Sequence, residues 1–159
     1  SVILLCEHFE TGWFGLILNQ ATNNLVSDVV DDINMEFPLY IGGPVEQNTL
    51  HFIHRLGYLL EDSIDIGNGI FWSGDFENLK TLINIGKVKE NEIRFFLGYS
   101  GWGNGQLSEE INQKSWTLTD VDADFVFDKN ANNFWREVLL KMGGTYKQVA
   151  NYPIDPRLN

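Results

Sequence analysis

Apolar residues fall in runs of strand length along most of this chain, and only a few stretches shift to helical spacing. "SVILLCEH" and "WFGLILNQ" are two such runs joined by "FETG", whose Gly12 supplies turn freedom, so the pattern predicts a buried β-hairpin. "FPLYIGGPV" reads as a strand ended by Gly42-Gly43-Pro44, and "TLHFIHRL" alternates as a strand does. "SIDIGNGIFWSG" predicts two short strands about Gly67-Asn68-Gly69, and "EIRFFLG" a further one. "SWTLTDV" and "DFVFD" add strand-like pieces. Helical spacing is expected in "NNLVSDVVDDI", with Leu25, Val26, Val29 and Val30 on one side and Asn24 as N-cap. It recurs at Phe76, Leu79, Leu82 and Ile83 before Gly86, from about Leu107 to Lys114, and in "NNFWREVLLKMGG". The tail "YKQVANYPIDPRLN" has little periodicity. Many strands with three or four interspersed helices, and no regular βαβ alternation, predict a single α+β domain over residues 1–159.

Composition narrows the class. The 159 residues are 43% hydrophobic and 13% aromatic, enough for a well-filled core. The formal net charge of −11 repels phosphate backbones and anionic membranes and favours basic or neutral protein partners. Direct nucleic-acid binding is therefore not expected. A single cysteine, Cys6, allows no intrachain disulfide and fits a reducing, cytoplasmic compartment. No apolar run reaches the ~18 residues of a membrane span.

Candidate chemistry centres first on "FFLGYSGWGNGQLSEEI". As a dinucleotide loop it lacks glycine at Gln106, and as a P-loop it has Asn104 where lysine belongs. Glu109 and Glu110 would repel a phosphate at the following helix. Gly98-Tyr99-Ser100-Gly101-Trp102 resembles a nucleophile elbow without its last glycine, but His8, His51 and His54 all precede Ser100, against that motif's order. The favoured expectation is a structural corner from Tyr99 to Gly105. Cys6 and His8 share a face if their strand is regular, as thiolate–imidazole chemistry needs, although a buried Cys6 is the plainer reading. His51 and His54 should point to opposite faces of a strand, against a two-histidine metal site. Asp120, Asp122, Asp124 and Asp128 lack the frame of a calcium loop. No cofactor is expected.

Three segments then join up. "VILLCEHFETGWFGLILNQ", "LYIGGPVEQNTLHFIHR" and "RFFLGYSGWGNGQLSEEI" followed by "SWTL" resemble, in order, the signature segments of the AlgH/YqgE family, sometimes labelled transcriptional regulators. The "GGTY" tail is similar to the Bacteroidetes branch. The resemblance implies an α+β fold on coiled, branching, mostly antiparallel sheets, with an additional strand before Ser1, and brings no established activity, cofactor or ligand. Its elements fall on Glu7-His8, Gly15 to Asn19, Gly42-Gly43-Pro44, His54 and Gly98 to Leu107; the family often has alanine at the position of Ser100. Glu7, His8, Asn19, His54 and Gln106 are polar residues flanking strand ends and turns, where binding groups tend to lie. Three readings follow: a cytoplasmic regulatory or partner-binding protein, favoured; a small-ligand binder or enzyme using that polar set; and a DNA-binding regulator.

Overall fold

The computed structural model describes residues 1–128 and 133–144. Eight strands form a mostly antiparallel sheet: β1 (Ile3–Phe9), β2 (Gly12–Ile17), β3 (Ala21–Leu25), β4 (Pro38–Ile41), β5 (Val45–His54), β6 (Ile64–Gly67), β7 (Ile70–Trp72) and β8 (Ile93–Gly103). The helices are α1 (Phe76–Asn84), α2 (Gln106–Asn112), α3 (Ala123–Asp128) and α4 (Phe134–Met142). The architecture is α+β.

The expected hairpin is β1–β2, with Ile3 opposite Ile17 and Phe9 opposite Gly12, and a bulge at Cys6 between Leu5 and Glu7. The path then runs β1-β2-β8-β5-β7-β6, with β3 and β4 branching off β8. β8 is the hub. Its first half lies between antiparallel β5 and parallel β4, and its second half pairs Ser100 to Gly103 with β2. Gly98, at φ +69, makes this change of partner possible, because a Cβ there would lie 2.7 Å from the Gly43 carbonyl oxygen. At the branch the Gly42 N–H donates to the Leu97 carbonyl, while the Gly42 carbonyl accepts from the Ile17 N–H and the Ser100 hydroxyl.

Both faces of the first half of β8 are covered, which is why the successive residues Phe95 and Phe96, on opposite faces, are both apolar and fully buried. Phe96 faces a core with Leu16, Ile53 and residues of α3 and α4. Phe95 faces a second core with Leu39, Phe52 and the Leu79, Leu82 and Ile83 stripe of α1. α1 starts where Asp75 accepts from the Asn78 N–H at 2.8 Å.

Four expectations are corrected. "NNLVSDVVDDI" is not a helix: β3 ends at Leu25 and only Val26–Asp28 turns, with the Asp28 carboxylate accepting from the Leu25 N–H. Of the expected stripe Val26 is buried and Val30 packs against the second core, while Val29 is exposed. "DFVFD" is helical rather than extended, because Asp122 accepts from the Phe125 N–H and opens α3. "SWTLTDV" is irregular. The glycine stretch is not the expected corner: β8 continues to Gly103, and the turn into α2 is at Asn104-Gly105. The tail from residue 145 lies outside the described residues.

Candidate functional site

The five polar residues singled out from the sequence serve different parts of the fold. Glu7 and His8 follow the β1 bulge, and the His8 ring stacks on Trp13 at 4.6 Å in the open. Asn19 accepts from the Val2 N–H at 2.8 Å and ties the base of the hairpin. Gln106 opens α2, accepting from the Gly103 N–H at 2.9 Å and donating to Glu110 at 3.4 Å. His54 is completely buried at the end of β5. Among the described residues no hydrogen bond joins any two of the five, and none of them lines the two cavities described below.

His54 is the most elaborated of them. Its Nε2 lies 2.9 Å from the Ser73 carbonyl oxygen and 3.1 Å from Ser63 Oγ, and its Nδ1 lies 3.3 Å from the Leu56 nitrogen. A carbonyl can only accept and an amide N–H can only donate. The ring is therefore neutral, with its proton on Nε2 and a bare Nδ1. The Ser63–His54 contact has the spacing of a nucleophile and its base. The proton order is wrong, since Nε2 already donates and the Ser63 hydroxyl donates to the Leu60 carbonyl. Burial lowers the His54 pKa, partly offset by the bond to Ser73.

The other candidates resolve similarly. Cys6 is the bulge residue, buried while His8 is exposed, and burial followed by the charge of Glu7 raises its thiol pKa, the opposite of an activated thiolate. Ser100 is buried with its hydroxyl on the Gly42 carbonyl. His51 faces away from His54, against Phe14 and Tyr99, with Nε2 3.0 Å from Thr49 Oγ1. Asp124 and Asp128 pair with Arg55, and Asp122 caps α3. Among the described residues no three His, Cys, Asp or Glu side chains converge as a metal site.

Two concavities matter. One, of ≈ 500 Å³, is lined by Tyr40, Asn91, Arg94 and Asp128. Arg94 is buried there, with its guanidinium 4.9 Å from the Tyr40 ring centre and 5.1 Å from that of Phe134; burial lowers its pKa. The other is a groove of ≈ 700 Å³ between β1 and α4, walled by Val2 to Leu5, Trp102, Trp116, Leu118 and Met142. β1, which pairs with β2, lines one wall of this groove. Neither feature was visible in the linear pattern. The sequence pattern predicts a strand at Trp116 and Leu118; they lie instead in an irregular connection, where Leu118 is 62% exposed. No helix of the described residues is long and apolar enough to cross a membrane.

A family model described as AlgH-like matches residues 1–147. A UPF0301 protein of Cytophaga hutchinsonii is 47% identical, covering 100% of this chain and 88% of the relative. UPF0301 proteins of Chlorobium limicola and Parabacteroides distasonis are 43% and 38% identical, each over 100% of this chain and over 86% and 82% of the relatives. These sources agree with the branch suggested by the tail. The fold is similar to that of the AlgH protein from Pseudomonas aeruginosa, with TM-score 0.73 and 22% identity over 96% of this chain and 84% of the other. It is also similar to protein DIP2367 from Corynebacterium diphtheriae, with TM-score 0.76 and 22% identity over 96% and 82%.

Proposed function

This chain belongs to the AlgH-like family, and from that premise we propose that it is a cytoplasmic regulatory protein that acts by binding another protein. The observation that carries the reading is the groove beside β1. A trough with an apolar lining beside β1 suits an extended apolar segment of a partner, whose side chains enter it. The charge of −11, with Asp120 at the groove itself, selects a segment flanked by basic residues.

Leu118 tests it. Because this side chain is largely exposed, Leu118→Glu should change stability by less than about 0.5 kcal/mol. Introduced beside the apolar wall, the carboxylate should weaken partner binding at least about tenfold, the cost of desolvating a charge without a counter-ion. The measurement is affinity capture with mass spectrometry on wild type and variant, followed by titration of the captured protein. A partner held equally by Leu118→Glu and by Leu4→Asp would place its contact elsewhere and overturn this assignment of the surface.

A further inference from the structure

The buried ring of His54 joins three segments that are separate in the chain. β5 carries it; the 55–63 loop reaches it through the Leu56 N–H and the Ser63 hydroxyl; and the turn after β7 reaches it through the Ser73 carbonyl. Its ring also stacks on Phe71 at 5.7 Å, and Phe71 in turn meets Tyr58 of the same loop edge-on at 5.2 Å. The loop holds Leu60 completely buried in the α1 core while leaving Tyr58 75% and Leu59 56% exposed. His54 thus holds both ends of a loop that is otherwise anchored by Leu60, by the Glu61 N–H on Asn78 and by the Glu61 carbonyl accepting from the Asp75 N–H, and that exposes Tyr58 and Leu59 beside Glu61 and Asp62.

We propose that His54 is a pH-sensitive latch, closed when neutral and released on protonation, which frees the 55–63 loop. The chemistry is local. A second ring proton has to go on Nδ1, directly facing the Leu56 N–H, where two donors then oppose one another. The new charge would also lie in a site with no carboxylate among the ring's hydrogen-bond partners. The ionisable groups of the surrounding elements are all otherwise placed. His51 and Arg94 face the opposite side of the sheet, and Arg55 is turned to Asp124 and Asp128. Asp75 caps α1, Glu77 pairs with Lys80, and the Glu92 carboxylate accepts from the Lys89 N–H. Glu61 and Asp62 are exposed in the loop, Asp65 accepts from the Gly67 N–H, and the Tyr58 ring lies against Phe71.

The sign follows from the direction of the shift. The folded-state pKa is below the unfolded value near 6.5, so the unfolded or opened state binds the extra proton. The latch is fully effective above about pH 6.5 and weakens as pH falls toward the folded pKa, by up to about tenfold in the opening equilibrium per pH unit.

The test is performed on the whole chain by NMR from pH 8 to pH 5, reading the His54 ring signals and amide exchange at Leu56 to Ser63. The proposal expects the loop protection factors, that is, exchange corrected for the slowing of the base-catalysed chemical rate, to fall at least tenfold between about pH 6.5 and pH 5, while those of α1 amides are unchanged. His54→Asn keeps an acceptor for the Leu56 N–H without a titrating ring, and its loop exchange should not respond to pH in this range beyond the intrinsic chemical rate. Wild-type loop protection factors that do not change over this range, or a fall retained in His54→Asn, overturn the proposal. If His54→Asn does not fold, the wild type decides alone: loop protection that falls only below about pH 6.5 and levels off at the folded His54 titration supports it, and any other pH course overturns it.

Discussion

Trp102 and Ser100 are neighbours on β8 whose side chains face the interior, and their removal has different physical consequences. The Trp102 indole is 8% exposed, meets Trp116 edge-on at 6.0 Å and closes the inner end of the β1 groove. Trp102→Ala should cost about 3 kcal/mol or more through the cavity left behind. Ser100→Ala loses one hydrogen bond, 3.1 Å to the Gly42 carbonyl, but that carbonyl keeps the Ile17 N–H, so no buried acceptor is orphaned. Its cost should be about 1 kcal/mol. Paired urea melts measure both, and a Trp102→Ala protein as stable as wild type would mean that the indole is not part of the core. The sequence alone made Ser100 look interchangeable with alanine. Its role depends on a carbonyl 58 positions away, which no local pattern reveals. The same applies to Asn19, Gln106 and His54: a polar residue at a strand end looks alike whether it awaits a ligand or satisfies a backbone group, and here each of the three bonds at least one backbone group.

At the scale of elements, period and capping decided what could be read. β1, β2, β4, β5, β6, β7 and α1 follow from apolar runs, alternation or a 3.6-residue stripe bounded by turn residues. The errors came where local chemistry competed with the period. Asp28 and Asp122 each capped a neighbouring N–H and so decided the backbone in segments whose apolar content favoured the opposite reading. In β8 the glycines suggested a turn, yet burial alternates through Ser100, Gly101, Trp102 and Gly103, with the glycines on the exposed side. This makes a discriminating pair of substitutions. Gly98→Ala places a Cβ at positive φ against backbone and should cost about 2 kcal/mol or more. Gly101→Ala meets nothing nearer than 3.5 Å in ordinary strand geometry and should be neutral or stabilising by up to about 1 kcal/mol. Urea midpoints decide: a Gly101→Ala protein destabilised as much as Gly98→Ala would restore the corner.

At the scale of the whole molecule, charge weighs more than any single residue in deciding what can approach. Twenty-two acidic residues face eleven basic ones, and several of the basic groups are already engaged: Arg55 with Asp124 and Asp128, Lys80 with Glu77, Lys141 with Asp122, and Arg94 buried between rings. A duplex-binding protein neutralises several phosphates with Lys and Arg, and its affinity falls steeply with salt as counterions are released. The remaining lysines nearest to a patch, Lys87 and Lys89, flank Val88 in the connection after α1 and are interspersed with Glu90 and Glu92. Among the described residues no helix carries Lys87 or Lys89, since α1 ends at Asn84. Electrophoretic shifts at physiological salt should therefore show no duplex binding below micromolar concentration. A shift in that range that weakens steeply as salt rises would require a local basic surface strong enough to overcome the net field, and would move the regulator reading from a protein partner to DNA.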